Sequence, residues 1–117
     1  MSSATRADCI FCKIVAGELP CDELYSDDEI LVFKDISPQA PFHGVIIPKI
    51  HIATLDDAGD EDAPMLGRFF VVARQLAEEH GLPGYRVVVN TNPEGGQVVY
   101  HVHMHLLGGR QMNGTLG

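Results

Sequence analysis

The spacing of apolar residues predicts one long amphipathic helix in the second half of the chain. Apolar residues recur every three to four positions between residues 65 and 77, and Gly81 follows as a stop signal. Phe70 and Val71 lie outside this apolar stripe. They give the helix apolar surface beyond its core-facing side, so we expect it to meet a subunit partner.

The remaining apolar runs predict a shorter helix and a sheet. The short helix begins after Asp8, a candidate N-cap, and ends near Gly17. Alternating or β-branched runs between turn residues predict five strands. They cover residues 23–26, 29–34, 42–48, 85–90 and 100–107. Short loops between successive strands favour antiparallel pairing. We therefore predict a single α+β domain over residues 1–117 with an antiparallel five-stranded sheet, a core over about residues 8–112 and a flexible tail over residues 1–7.

Three of the six histidines stand at alternate positions in the last predicted strand, at residues 101, 103 and 105. Successive side chains of a strand point to opposite faces, so the three imidazoles share one face. At a rise of about 3.3 Å per residue, the outer two are about 13 Å apart, too far for all three to bind one metal on a straight strand. The pattern leaves four interpretations open: solvent-facing side chains, a zinc hydrolase with a further ligand, nucleophilic catalysis by His103, and a binding module without turnover.

The charge balance excludes some partners. Sixteen acidic and eight basic residues give a formal net charge of −8. Sequence-independent binding to nucleic acid or to an anionic membrane requires clustered Lys and Arg, so we expect neither partner. A small anionic ligand stays compatible with this charge, because the backbone N–H groups of a turn such as Gly95-Gly96 can bind a phosphate.

The lengths of the apolar runs and the number of cysteines help to predict the cellular compartment of the protein. No run approaches 18 apolar residues, and the first eight residues are polar, without the apolar middle of a signal peptide. We therefore expect a cytoplasmic protein. In that compartment, an odd number of cysteines, three in this chain, indicates free thiols or metal ligands rather than disulfides.

Several segments together resemble the histidine-triad (HIT) superfamily. Its signature is His-φ-His-φ-His-φ-φ, where φ is apolar, and residues 101–107 match it as HVHMHLL. Other segments resemble the Hint branch, the histidine-triad nucleotide-binding proteins. They are residues 35–41 (DISPQAP), 45–49 (VIIPK), 95–97 (GGQ) and 108–112 (GGRQM), together with Asn90. The resemblance extends from about Cys9 to Met112, which is most of the chain.

The resemblance implies a HIT-like fold with one long and one short helix, a homodimer, and hydrolysis of purine nucleoside 5′-phosphoramidates. In Hint-like proteins the middle histidine attacks the α-phosphorus, and water then hydrolyses the nucleotidyl-histidine to release a nucleoside monophosphate such as AMP. The matching residues are His103 as nucleophile, with His105 and His43 in the phosphate site. No organic cofactor is implied. The alternatives are a dinucleoside polyphosphate hydrolase or nucleotidyl transferase of a neighbouring branch, and a nucleotide-binding adaptor with negligible turnover.

Further positions match the nucleotide-binding residues of the branch. Asp35, with Ile36 beside it, matches the ribose contact. The apolar base pocket is matched by Ile10, Phe11, Ile14 and Phe33, and the phosphate contacts by Asn90, Gly96, Gln97 and Val98. Val98 replaces the Ser or Thr of many Hint proteins, which removes a side-chain hydrogen bond worth about 0.5 to 1.5 kcal/mol for a neutral pair. We expect slower turnover or a changed leaving-group preference.

Cys9 and Cys12 form a C-x-x-C pair at the start of the short helix. Two thiolates at this spacing would need two histidines to complete a tetrahedral structural zinc site. In members of the family that carry this pair and bind zinc, the resemblance assigns those ligands to positions that are His51 and His101 here. The alternative is two buried free cysteines. We expect Cys21 to be a lone packing residue.

Overall fold

A computed structural model describes residues 6–117 and has a five-stranded antiparallel sheet with strand order β1-β2-β3-β5-β4. The strands are β1 (Glu23–Ser26), β2 (Ile30–Lys34), β3 (Phe42–Pro48), β4 (Tyr85–Val88) and β5 (Met104–Gly108). The α-helices are α1 (Ile10–Val15) and α2 (Ala63–Glu79), and short 3₁₀ turns cover Leu55–Asp57, Asp60–Asp62 and Pro93–Gly95. The predicted α+β fold with one long and one short helix is confirmed. Most of the predicted tail, residues 1–5, lies outside the described residues.

The two faces of the sheet bury different sets of side chains. In β2, Ile30 and Val32 point into the core beneath α2, and Leu31 and Phe33 point toward α1. This alternation follows from the two-residue repeat of a strand. The stripe predicted for α2 is largely buried, at Met65, Phe69, Val72, Ala73, Leu76 and Ala77. The sheet therefore lies between the long helix and the short one.

The strand that carries the histidines begins later than the sequence predicts. β5 begins at Met104, which pairs with Ile46 of β3. Upstream of β5 the chain leaves β3, and the N–H of Val102 donates to the carbonyl of Ile52 at 2.6 Å. Val102 and Met104 still point into the core beneath α2, so side-chain alternation continues through this extended segment. The prediction that this strand begins at residue 100 is therefore wrong.

Three smaller expectations need correction. The N-cap of α1 is Cys9 rather than Asp8, because the Sγ of Cys9 accepts the N–H of Cys12 at 3.3 Å. β4 ends at Val88, two residues earlier than predicted. Cys21 is exposed and does not pack in the core.

Among the described residues, no helix has both the length and the apolar character to cross a bilayer.

Candidate active site and metal cluster

A cavity of about 530 Å³ opens between α1, the β2–β3 loop and the loop that precedes the histidines. It brings together almost all of the residues that the sequence assigned to catalysis and nucleotide binding. These are His43, His103, His105, Asp35, Ile36, Ile10, Phe11, Ile14, Phe33, Asn90, Gly96 and Val98. We call it the nucleotide cavity.

His103 is buried, and its tautomer is fixed by a backbone group. Its Nδ1 lies 2.7 Å from the carbonyl oxygen of His101. A carbonyl can only accept, so Nδ1 carries the proton and Nε2 keeps a free lone pair. Burial lowers the pKa of His103, while the bond to His101 and the charge of Asp35 oppose that shift. The imidazole is therefore neutral near pH 7 and has an unprotonated nitrogen available for attack.

A second chain of hydrogen bonds fixes the tautomers of His43 and His105. The backbone N–H of Gln39 donates to the Nδ1 of His43 at 3.0 Å, so the proton of His43 is on Nε2. That nitrogen lies 2.8 Å from the Nδ1 of His105 and donates to it. His105 consequently carries its own proton on Nε2. Burial, with smaller contributions from His103 and His43, lowers the pKa of His105 to about 4, so the ring is neutral near pH 7.

Asp35 holds the loop that supplies this backbone donor. Its Oδ1 accepts the N–H of Ser37 at 2.7 Å, and its Oδ2 lies 3.5 Å from the Nε2 of His43. The side chain of Gln39 closes the loop by donating to the carbonyl of Ser37 at 3.0 Å. Sequence reasoning missed the role of Gln39, which acts through its main chain. The only signal was the pair of prolines, Pro38 and Pro41, that stiffens this loop.

Gln97 lies beneath the glycine-containing loop and does not line the nucleotide cavity. Its side-chain nitrogen donates to the carbonyls of Ala53 and Val99 at 2.8 and 3.1 Å, and its side-chain oxygen accepts the N–H of Asn92 at 2.8 Å. The side chain thus holds the loop in place. Gly96 has φ +84°, a backbone conformation that favours glycine and turns the loop over the cavity.

Cys9, Cys12, His51 and His101 form a compact cluster next to this cavity. One donor atom from each lies within 4.8 Å of all the others. The Nδ1 of His101 lies 3.3 and 3.5 Å from the two sulfurs, and the Nδ1 of His51 lies 3.3 Å from the Sγ of Cys12. A tetrahedral zinc with ordinary bond lengths would place N and S about 3.5 Å apart. The four predicted ligands therefore have the spacing of a Cys₂His₂ site.

Comparison with known proteins identifies the family. Residues 8–116 match the family model described as scavenger mRNA decapping enzyme C-term binding. The chain is 51% identical over 109 residues to the purine nucleoside phosphoramidase of Escherichia coli K12, covering 92% of both chains. The chain belongs to the histidine-triad family.

Solved structures agree with this assignment. A HIT family hydrolase from Legionella pneumophila superposes with a TM-score of 0.91 at 52% identity, covering 94% of this chain and 100% of that one. A histidine triad protein from Clostridium difficile superposes with a TM-score of 0.91 at 40% identity, covering 94% and 97%.

Two clusters of described residues have metal-binding side chains, and the protonation of their histidines shows which of them can bind a metal. In the cysteine cluster, the Nε2 of His101 donates to the carbonyl of Pro48 at 2.8 Å, which leaves Nδ1 free as a ligand. Asp35, His43 and His105 also lie close together. Their two imidazole nitrogens, however, are 2.8 Å apart and share a proton, whereas tetrahedral ligands would be about 3.3 Å apart. The cysteine cluster fits a metal, and the second group fits a hydrogen-bonded relay.

Proposed function

We propose that this protein hydrolyses purine nucleoside 5′-phosphoramidates of the adenosine phosphoramidate type and releases the nucleoside monophosphate. The observation that carries the proposal is the buried, neutral His103, whose Nε2 is left free by the bond from Nδ1 to the carbonyl of His101. A histidine can act as a nucleophile at phosphorus only through an unprotonated nitrogen that faces the substrate. The phosphoramidase name of the Escherichia coli relative supports the substrate class.

In the proposed reaction, the Nε2 of His103 forms a bond to the α-phosphorus as the P–N bond of the substrate breaks. The departing nitrogen keeps the electron pair and takes one proton from water. A water molecule then attacks phosphorus, the bond to Nε2 breaks, and the electron pair returns to His103. The water gives one proton to solvent and its oxygen to the nucleoside monophosphate.

Neutral hydrogen-bond donors would stabilise the phosphoryl group. The Nε2–H of His105 is on the side of the ring away from His43, and the ring lines the nucleotide cavity. Gly96 and Val98 contribute loop backbone to the same cavity. Donors in a partly buried site stabilise a transition state better than they would in water. This arrangement suits an anionic substrate even though the chain is acidic overall.

The apolar end of the nucleotide cavity would hold the base. Phe11 packs edge-on against Phe33, with ring centroids 5.4 Å apart, and Ile14 lines the wall beside them. A flat purine fits between such apolar side chains. The Oδ2 of Asp35 would accept a ribose hydroxyl, since its Oδ1 already accepts the N–H of Ser37.

The test is release of AMP from adenosine 5′-phosphoramidate by wild type and His103→Ala. We expect a loss of about a thousandfold or more, because the nucleophile is removed. His80→Ala is the matched control, since His80 is a histidine outside both sites. Equal rates for wild type and His103→Ala would remove the catalytic assignment. Faster hydrolysis of diadenosine polyphosphate would favour the neighbouring branch.

We also propose that the cysteine cluster binds structural zinc. Both cysteines are buried, with Cys9 8% and Cys12 1% exposed. A set of thiolates and imidazoles suits zinc better than magnesium or calcium. The metal would connect α1 to the segments that carry His51 and His101. Elemental analysis should find about one zinc per chain.

A homodimer is the proposed assembly. In the described sheet β4 pairs only with β5, so its outer edge is free. Phe70 and Val71 on α2 are 59% and 44% exposed, as their position outside the helix stripe predicts. A free strand edge and exposed apolar side chains are features that a second subunit can cover.

A further inference from the structure

A second cavity of about 400 Å³ opens beside the nucleotide cavity and reaches the cysteine cluster. Cys9 and His51 form part of its wall, whereas Cys12 and His101, the more deeply buried members of the cluster, do not line it. We call this space the side cavity. It offers a small molecule a route from solvent to one of the two sulfurs.

The spacing of the two cysteines allows a covalent bond between their sulfurs. Cys9 is the N-cap of α1 and Cys12 lies in its first turn, where the N–H of Cys12 donates to the Sγ of Cys9 at 3.3 Å. Residues three apart at the start of a helix have Cα atoms about 5 to 6 Å apart, a separation that a disulfide can span. The two sulfurs already lie within 4.8 Å of each other. Once they are joined neither is a thiolate, so the pair no longer binds a metal.

The third cysteine lacks these features and serves as an internal comparison. Cys21 is exposed and lies outside the cluster, so it has no neighbouring thiol among the described residues. The residual burial of its thiol, together with the charges of Glu23 and Asp22, raises the pKa of Cys21. Oxidation proceeds through the thiolate, so exposure alone does not make Cys21 the favoured target.

We propose that Cys9 and Cys12 are a reversible oxidation site, at which hydrogen peroxide entering through the side cavity joins the two sulfurs and releases the metal. The thiolate of Cys9 attacks one peroxide oxygen, the O–O bond breaks, and hydroxide leaves, so that Cys9 becomes a sulfenic acid. The thiolate of Cys12 then attacks the Cys9 sulfur. The S–S bond forms as the S–O bond breaks and a second hydroxide leaves. The two sulfurs lose two electrons in total, and these reduce the peroxide.

The oxidation site is connected to the nucleotide cavity by two residues. His101 loses its metal when the sulfurs join, and its carbonyl oxygen bonds to the Nδ1 of His103. Phe11 stands between the two cysteines in the sequence, and its ring packs against His103 at a centroid distance of 5.2 Å. Oxidation should therefore lower the affinity for AMP, and reduction should restore it.

The experiment treats the zinc-loaded protein with hydrogen peroxide, blocks free thiols with iodoacetamide and digests the protein with trypsin without reduction. Trypsin cuts after Arg6 and Lys13, so Cys9 and Cys12 fall in one peptide, residues 7–13, and Cys21 falls in another. We expect peptide 7–13 to become lighter by two hydrogen atoms and to carry no iodoacetamide label, while Cys21 is labelled. A coloured chelator should report about one zinc ion for each disulfide formed.

The Ala53→Leu variant tests the route to the sulfur, because Ala53 lines the side cavity and not the nucleotide cavity. The larger side chain should fill part of the passage and slow disulfide formation about threefold or more. Tyr100→Ala widens the same cavity and should speed it. Ala63→Leu is the matched control, since Ala63 is exposed on α2 and lines neither cavity. Rates equal to wild type in both cavity variants would overturn the route through the side cavity.

The mass of peptide 7–13 decides the main claim. A peptide that stays reduced, or that gains oxygen without forming a disulfide, would overturn the proposal. So would a disulfide that dithiothreitol does not reverse. The peptide reports on oxidation whether or not the protein binds zinc, so failure of the zinc proposal is seen separately by elemental analysis.

AMP affinity, measured by calorimetry, tests the connection to the nucleotide cavity. We expect it to be about fivefold lower in the oxidised protein and to return after treatment with dithiothreitol and zinc. Unchanged affinity in the fully oxidised protein would overturn this connection. Failure of AMP to bind before oxidation would count against the proposed function, whereas the peptide mass tests the oxidation site in either case.

Discussion

The carbonyl oxygen of His101 lies 2.7 Å from the Nδ1 of His103, so one residue takes part in both sites. The His101 side chain belongs to the cysteine cluster, and its main chain fixes the tautomer of His103. Phe11 makes a second connection. It stands between Cys9 and Cys12 in the sequence, and its ring packs edge-on against His101 and His103 at centroid distances of 5.8 and 5.2 Å. A change in the positions of the cluster residues should therefore shift His103 and Phe11 in the nucleotide cavity.

Replacing Cys12 with serine should weaken nucleotide binding as well as metal binding. Loss of one thiolate leaves three ligands, so the zinc content should fall well below one per chain and the melting temperature should fall with it. α1, which carries part of the base pocket, would then be held less firmly. We expect AMP affinity measured by calorimetry to drop about fivefold, the lower end of usual coupling between linked sites.

Cys21→Ser is the matched control for this experiment, because Cys21 is an exposed cysteine outside the cluster. It should keep the metal content, melting temperature and AMP affinity of wild type. Normal AMP affinity in a Cys12→Ser protein that has lost its metal would show that the two sites are independent.

His105 should make the protein less stable as the pH falls below about 6.5. Its pKa in the folded protein is about 4, chiefly because of burial, and lies below its ordinary value of 6.5. The unfolded chain therefore binds this proton first, and the stabilisation present above pH 6.5 is lost as the pH falls toward 4. His43 and His103 face His105 and oppose its protonation, while Asp35 favours it.

The measurement is the melting temperature of wild type and His105→Asn between pH 7.5 and 4.5. The variant lacks one of the groups that titrate in this range, so its melting temperature should decrease less steeply with falling pH. Parallel curves for the two proteins would show that His105 titrates at the same pH in the folded and unfolded states.

Asp27 should stabilise the fold at neutral pH through four hydrogen bonds. Burial alone would raise the pKa of its carboxyl group, but donors from Arg68, Tyr25, Glu29 and Ile30 hold that pKa well below its usual range. A depressed pKa means that the contribution is complete above the unfolded value and declines as the pH falls below about 4.

Asp27→Asn should therefore melt roughly 4 °C lower than wild type at pH 7, corresponding to a loss of about 1 kcal/mol. The difference should shrink when both proteins are compared at pH 3. A difference that is the same at both pH values would mean that charge at this position does not contribute to stability.

The exposed apolar side chains of α2 should lie in a subunit interface. A Val71→Asp substitution would place a charge there, so we expect light scattering at micromolar concentration to report a monomer for the variant and a dimer for wild type. Leu55→Asp is a matched control, since Leu55 and Val71 are 45% and 44% exposed. A monomeric wild type, or dissociation of the control as well, would argue against an interface at Val71.

Local sequence patterns were sufficient to predict which side chains share one face of a helix or strand, because this follows from periodicity alone. The stripe of α2 is one example, and the shared orientation of His103 and His105, whose rings lie 5.0 Å apart, is another. The start of β5 could not be found in this way, because it depends on where the pairing with β3 stops. The last pair joins Met104 to Ile46, which is far away in the sequence.

The same limit applies within the candidate site. Residue types pointed to the imidazoles and thiols, since their chemistry is recognisable in a sequence. They did not point to the main-chain N–H of Gln39, which fixes the tautomer of His43, because every residue except proline has such a group. Gln97 was predicted to contact the phosphate, but its side chain does not line the nucleotide cavity and instead bonds to Ala53, Val99 and Asn92. These bonds depend on how the loop folds, which residue type alone does not show.

His103 should carry the nucleotide as a covalent intermediate during the reaction. The most direct measurement is mass spectrometry of the protein mixed with adenosine 5′-phosphoramidate and stopped without acid, followed by mapping of any adduct to a residue. We expect an adenylyl group on His103 in wild type and none in His103→Ala. Rapid AMP release by wild type with an adduct on another residue, or with His103→Ala equally active, would show that His103 is not the nucleophile.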